Sequence, residues 1–306
     1  MMVNPKSVLL MDEPDAHLEI LRQRQIYQML TDTARENGNQ IIAASHSEVI
    51  LNEAADRDMV IAFVGKPHRI DDRGSQVYKS LKEIGYDQYY QATETGWVLY
   101  LEGSTDLAIL RSLAVTLGHP AAKCLEKPFV HYVLNQPKKA QEHFYGLREA
   151  KPDLIGIAIF DRLDNGLPSD PNLTQRMWSQ RELENYICHK EAILEWTKSA
   201  AEQNTEGPLF AGSWVDSMNH VIAELESALE TLGKPSPWGE DIKVTDDFLD
   251  PLFEKFFSLL GLPNLMRKTD YHELARFVSP ENLSHEIREV LDAICATDAQ
   301  AHAEIS

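Results

Sequence analysis

Apolar positions along the chain follow two rhythms, short unbroken runs that empty into polar residues and longer stretches spaced three to four apart. Ser7 to Met11 (SVLLM) reads as a buried strand ending in Asp12-Glu13-Pro14. A helix is predicted from about Ala16 to Asn37, with Leu18, Leu21, Ile26, Met29 and Leu30 on one face and Gly38 closing it. A second apolar strand, Ile41 to Ala44, ends in Ser45-His46-Ser47, and a third, Met59 to Val64, precedes a polar stretch with Gly65-Lys66-Pro67 and Asp71-Asp72-Arg73-Gly74. After Thr95-Gly96 the rhythm restarts. Val98 to Leu101 is a strand, Thr105 to Leu117 a helix, Phe129 to Leu134 a strand, and Leu154 to Phe160 a strand ending in Asp161. Strands alternating with helices predict an α/β chain with parallel sheets. From about Lys190 the pattern turns helical. Met218, Val221, Ile222, Leu225, Leu229 and Leu232 share one helical face, and a last helix announced by Ser279-Pro280 carries Leu283, Ile287, Val290, Leu291 and Ile294.

Composition narrows the class. With 306 residues, 43% hydrophobic and 25% charged, the chain is that of an ordinary globular protein with room for about two domains. No run approaches the roughly 18 to 20 apolar residues that cross a bilayer, and acidic residues stand early in the chain where a signal peptide needs small ones. A cytoplasmic protein without membrane contact is expected. Cys124, Cys188 and Cys295 are widely spaced, so buried thiols are the default. His17, His68, His131 and His272 lack zinc spacing, and the five tryptophans are expected in packing rather than in base stacking. The net charge of −19 repels phosphate at long range. A carboxylate cluster built for divalent cations is itself acidic, however, and local basic patches survive a negative total.

Two constellations carry chemistry. In the first, an apolar strand delivers Asp12 and Glu13 at its C-terminal edge, and His46 follows the next apolar strand. The segments LLMDEPDAHL (Leu9 to Leu18) and AASHS (Ala43 to Ser47) resemble the Walker B, D-loop and switch-histidine segments of ABC-type ATPases of the SMC and OLD (overcoming lysogenization defect) kind. The resemblance implies that Asp12 holds Mg²⁺, Glu13 orients water and His46 senses the γ-phosphate. No GxxxxGK[ST] loop or LSGG-like signature precedes them, so ATP binding is expected only if the missing Walker A part is supplied.

In the second, Val98 to Leu101 leads into Glu102-Gly103, with Asp106 four residues after Glu102. Ile155 to Phe160 runs into Asp161-Arg162-Leu163-Asp164, and Arg181-Glu182-Leu183-Glu184-Asn185-Tyr186 adds a third acidic group. Clustered oxygen ligands suit Mg²⁺ or Mn²⁺. LYLEGSTD, IAIFDRLDN and RELENYI are similar to the glutamate, Asp-x-Asp and Glu-Asn-Tyr motifs of an OLD-family TOPRIM domain, a Rossmann-like parallel sheet. Leu163 departs from that pattern at the second aspartate, and Asp164 is the nearest acid. The resemblance implies metal ligation by Glu102, Asp106, Asp161, Asp164 and Glu184, catalytic roles for Glu102, Asp161 and Lys268, and metal-dependent cleavage of DNA.

The expected organisation is a truncated ABC-type lobe over 1–92, a TOPRIM-like domain over 93–190 and a helical C-terminal region over 191–306. The expected function is an OLD-type endonuclease coupled to an ATPase module in phage defence, acting as a homodimer, with a partner defence protein a further candidate. The alternatives are a regulatory or assembly module with a weakened TOPRIM site and an ATPase subunit completed by another chain.

Overall fold

The computed structural model describes residues 5–55, 58–62, 68–69, 85–204 and 208–303. The stretches containing Gly65-Lys66-Pro67 and Asp71-Asp72-Arg73-Gly74, and Val64 at the end of the third predicted strand, lie outside the described residues. Two compact units are present, one built from residues up to Glu94 together with Tyr145–Leu154, the other from Thr95–Phe144 and from Ile155 onward.

In the first unit, β1 (Val8–Asp12) pairs in parallel with β2 (Gln40–Ala44), Asp12 standing opposite Ala44. Between them runs α1 (Ile20–Asn37), closed by Gly38 in the left-handed conformation at φ 62°. The helix begins later than its apolar spacing predicts, because Glu13 and His17 both take positive φ and Ala16 and Leu18 are held in turns by the Glu13 and Asp15 carbonyls. Further on come α2 (Glu48–Ala55), a short antiparallel pair β3 (Ile61–Ala62) and β4 (His68–Arg69), and α3 (Tyr86–Thr95). The buried strand expected at Ser7 to Met11 is corrected by its exposure. Val8 and Leu10 are 58% and 73% exposed and Ile42 beside Leu10 is 53% exposed, since no described residue covers that face of the pair.

The second unit is built on a four-stranded parallel sheet in the order β6-β5-β7-β8, from β5 (Trp97–Leu101), β6 (Val130–Tyr132), β7 (Ile155–Phe160) and β8 (Leu173–Met177). Both faces are covered, which is why β5 and β7 read as continuous apolar runs rather than alternating ones. Trp97, Leu99, Leu101, Ile157 and Ile159 point into the main core. That core is completed by α4 (Ser104–Thr116), α5 (Ala121–Cys124), α7 (Lys190–Asn204), α8 (Pro208–Thr231), α9 (Asp250–Leu259) and α10 (His285–Ala303). The sheet and the C-terminal helices therefore share one core. On the opposite face, Tyr100 packs edge-on against the stacked rings of His131 and His143, the latter on α6 (Pro137–Ala150). Of the five tryptophans, Trp97, Trp178, Trp196 and Trp214 are buried, as packing residues should be.

Gly156 shows how closely the sheet is covered. A Cβ there would stand 3.0 Å from Leu173 Cδ1, 3.1 Å from Phe144 Cε2 and 3.2 Å from Val98 Cγ1. Gly156→Val should therefore destabilise the fold by roughly 2 to 3 kcal/mol through overpacking. Urea unfolding checks this, and an unchanged midpoint would show that the strand is less tightly covered than described. Among the described residues, no helix is long and apolar enough to cross a membrane.

Candidate metal-binding site of the parallel sheet

All four strands point the same way, so the residues that follow β5 and β7 emerge at one edge of the sheet. The chain leaves β5 for β6 on one side and returns to β7 on the other. The gap outside the carboxyl ends of β5 and β7 is thus the topological switch point where open α/β sheets bind ligands. Glu102 follows β5 and Asp161 follows β7, placing two acids at that point.

Local structure holds each in place. Gly103 is extended, α4 starts at Ser104, and Asp106 in its first turn reaches back so that Oδ2 accepts the Glu102 N–H at 2.9 Å and the Gly103 N–H at 3.2 Å. The third segment is a 3-10 turn, Leu183–Tyr186. Its Leu183 N–H donates to Asp161 Oδ1 at 3.1 Å, tying it to the end of β7. Asn185 locks the turn, Oδ1 accepting the Glu182 N–H at 2.9 Å while Nδ2 donates to the Gly239 and Ile242 carbonyls at 3.1 and 3.2 Å. Glu184 is thereby fixed in a buried position.

These acids feel one another. Burial pushes Asp161 well above the carboxylate range, and the charges of Glu102, Asp106 and Glu184 push it further. Burial, then Asp106, raises Glu184 to about 7. Asp106 is raised to about 6 by burial and Glu102, with the Glu102 and Gly103 amides and Lys268 pulling the other way. Lys268 opens a second 3-10 segment, Lys268–Arg276, packed on α4, and its charge acts on Asp106 and Glu184. Electrostatic interaction therefore links Glu102, Asp106, Asp161 and Glu184, and Lys268 acts on Asp106 and Glu184.

Asp164 is exposed on the loop that follows β7. Arg162 is held by Asp241 at 2.7 Å and the Ser179 carbonyl at 3.2 Å, and the Leu163 N–H meets Met177 Sδ at 3.0 Å. These contacts fix the two residues between Asp161 and Asp164.

The cluster offers only carboxyl oxygens, the donor chemistry of a hard divalent cation. Among the described residues, no group of three or more His, Cys, Asp or Glu side chains is placed so as to hold a metal ion.

In the first unit, Asp12 ends β1, Glu13 follows it and His46 follows β2. The Glu13 N–H donates to the Ala44 carbonyl at 2.8 Å, and His46 Nε2 lies 4.0 Å from Glu13 Oε1, both side chains being exposed. Asp12 is exposed at the strand end. Asp15, nearly buried, accepts the Ser45 hydroxyl at 2.6 Å and joins the two loops, a contact that sequence spacing did not single out. Glu182, Lys243 and Asp246 were likewise missed as site neighbours. Glu182 is buried beside Glu184, its Oε2 accepting the Thr245 N–H at 3.1 Å. Lys243 and Asp246 come from a segment with no motif of its own, so nothing in their spacing marked them.

Comparison with known proteins gives two likenesses. The family model described as "AAA domain, putative AbiEii toxin, Type IV TA system" matches residues 2–52. None of the curated proteins matches the chain. Among solved structures, the C-terminal region of the Xanthomonas campestris pv. campestris OLD protein is similar at 16% identity and a TM-score of 0.34, over 71% of this chain and 100% of that one. The chain is thus similar to an AAA domain over residues 2–52.

Proposed function

We propose that this chain is an OLD-family protein whose second unit is a TOPRIM-type, divalent-metal-dependent DNA endonuclease, coupled to an ATPase module and serving defence against phage. The observation that carries the reading is that Glu102 and Asp161 leave adjacent parallel strands at the switch point of the sheet, where the charges of Glu102, Asp106 and Glu184 act on Asp161 and that of Lys268 acts on Asp106 and Glu184. Glu102, Asp106, Asp161 and Glu184 would hold Mg²⁺ or Mn²⁺. Such an ion would polarise the phosphodiester and make a water bound to it more acidic than bulk water.

The chain's own residues do the rest. The Leu183 and Gly103 amides fix the acids against rotation, so that little reorganisation remains at the moment of reaction. Lys268 presents a cation to the charge that accumulates on the phosphoryl oxygens. Asp164, on its exposed loop, takes no part, and the cation is held without a second aspartate from the β7 loop.

In the first unit, Asp12, Glu13 and His46 would serve ATP once a phosphate-cradling segment joins them. The Glu13–His46 proximity favours that arrangement over an accidental pair of loop residues.

A supercoiled plasmid tests the nuclease reading. Nicking is expected with Mg²⁺ or Mn²⁺ and none with chelator. Lys268→Ala should slow the cut about a hundredfold, the usual cost of losing one group that stabilises transition-state charge. Cutting that survives chelation would overturn the assignment, and a wild-type protein inert in both metals would leave the assembly-module reading.

A further inference from the structure

Lys243 lies immediately before Val244 and the π-helical turn Thr245–Leu249, far in sequence from every acidic motif. Its Nζ stands 3.0 Å from Asp246 Oδ2 and 3.9 Å from Glu182 Oε1, with the side chain about half exposed. Glu182 is no surface acid. It is buried, anchored by the Thr245 amide, and directly precedes Leu183, whose own amide holds Asp161. A continuous chain of contacts therefore runs from Asp161 through the 3-10 turn to Lys243. The same ammonium acts electrostatically on Glu102, and Asp246 feels both Lys243 and Lys268. Lys243 thus bonds a carboxylate on which Lys268, from a different segment, also acts electrostatically.

An ammonium has three donors. Asp246 takes one at hydrogen-bonding distance, while Glu182 sits at ion-pair range, which leaves Lys243 able to meet a further anion from solvent. In a chain of net charge −19, fixed cations beside an acid cluster are the groups able to offset long-range repulsion of a polyanion.

Resting on the nuclease reading, we propose that Lys243 is a positioning residue that contacts a DNA phosphate neighbouring the scissile one, with Glu182 and Asp246 holding its side chain in readiness. Lys268 serves the reacting phosphate; Lys243 sets the register of the strand.

The test compares wild type with Lys243→Ala, Lys243→Glu and Lys243→Arg. Plasmid nicking in Mn²⁺ supplies kcat and KM, and duplex binding in Ca²⁺ across a salt series supplies affinity. Lys243→Ala should raise KM roughly tenfold, the loss of one charge-assisted hydrogen bond, with kcat within about twofold. The slope of log affinity against log salt should fall by about one, as for a single phosphate contact. Lys243→Glu should be worse and Lys243→Arg near wild type. Nicking with KM and slope indifferent to residue 243 overturns the inference alone, as does a loss confined to kcat. Lys243-dependent binding without nicking keeps the inference and overturns the hydrolase. A wild type that binds no duplex overturns both.

Discussion

Glu102→Ala and Asp161→Asn are each expected to cut metal-dependent nicking by about a thousandfold or more, while Asp164→Ala leaves it within about twofold. The asymmetry follows from position. Glu102 and Asp161 directly follow two adjacent parallel strands, and the charge of Glu102 acts on Asp161. Asparagine at 161 keeps an oxygen for the Leu183 amide, so that turn stays in place and the loss reports the missing charge rather than a displaced loop. Asp164 lies beyond a segment fastened by the Arg162–Asp241 pair and the Leu163 contact with Met177, on exposed chain. A swing inward would have to break both. Plasmid assays at matched protein concentration, with circular dichroism to show that each variant folds, decide the matter. Full activity in Asp161→Asn would remove this site from the reaction, and inactivity in Asp164→Ala would show that its loop closes on the cluster after all.

The legible part of this chain is the part where local pattern and tertiary environment agree. β5 and β7 are buried on both faces, so unbroken apolar runs ending in an acid located them to within a residue or two. Gly38 ended its helix where a left-handed residue was required. The acids at the strand ends were legible for the same reason: a parallel sheet has one chemical edge, and Glu102 and Asp161 stand on it.

What escaped depends on long-range partners. The edge strand β8, LTQRM, is not apolar throughout and holds one β-branched residue, Thr174, and becomes a strand through pairing with β7. Ser279-Pro280 marks a turn five residues before the last helix, which starts at His285. The π turn at Thr245–Leu249 and the 3-10 form of Lys268–Arg276 have no periodic signature, yet they carry Lys268 and the neighbours of Lys243. Exposure of β1 was hidden too, because an apolar run reports what a strand can bury and not what covers it.

Raising the pH of chelated protein should lower its melting temperature, and Mg²⁺ or Mn²⁺ should restore it. Burial, and then neighbouring acids, hold Asp106 at about 6 and Glu184 at about 7, with Asp161 well above the carboxylate range. Each folded-state value lies above the unfolded one. The stability these groups contribute is therefore complete below about pH 4 and is lost as pH climbs through 6 for Asp106, 7 for Glu184 and higher for Asp161. A full displacement of this size corresponds to about 3 kcal/mol per group, an upper figure because the charges relax as the cluster opens. A divalent cation reverses the sign by replacing the protons, and at a hundredfold excess over its dissociation constant it adds roughly 2.7 kcal/mol. Melting curves between about pH 5 and pH 9, with chelator or with millimolar Mn²⁺, measure both effects without reference to cutting. Glu184→Gln should flatten the chelated curve near neutrality, since the amide has no proton to lose. Titration calorimetry in buffers of different ionisation enthalpy should show protons leaving as the metal binds. Melting that is flat with pH and indifferent to both metals would mean that the acids are not held against one another, and the cation would have nothing to relieve.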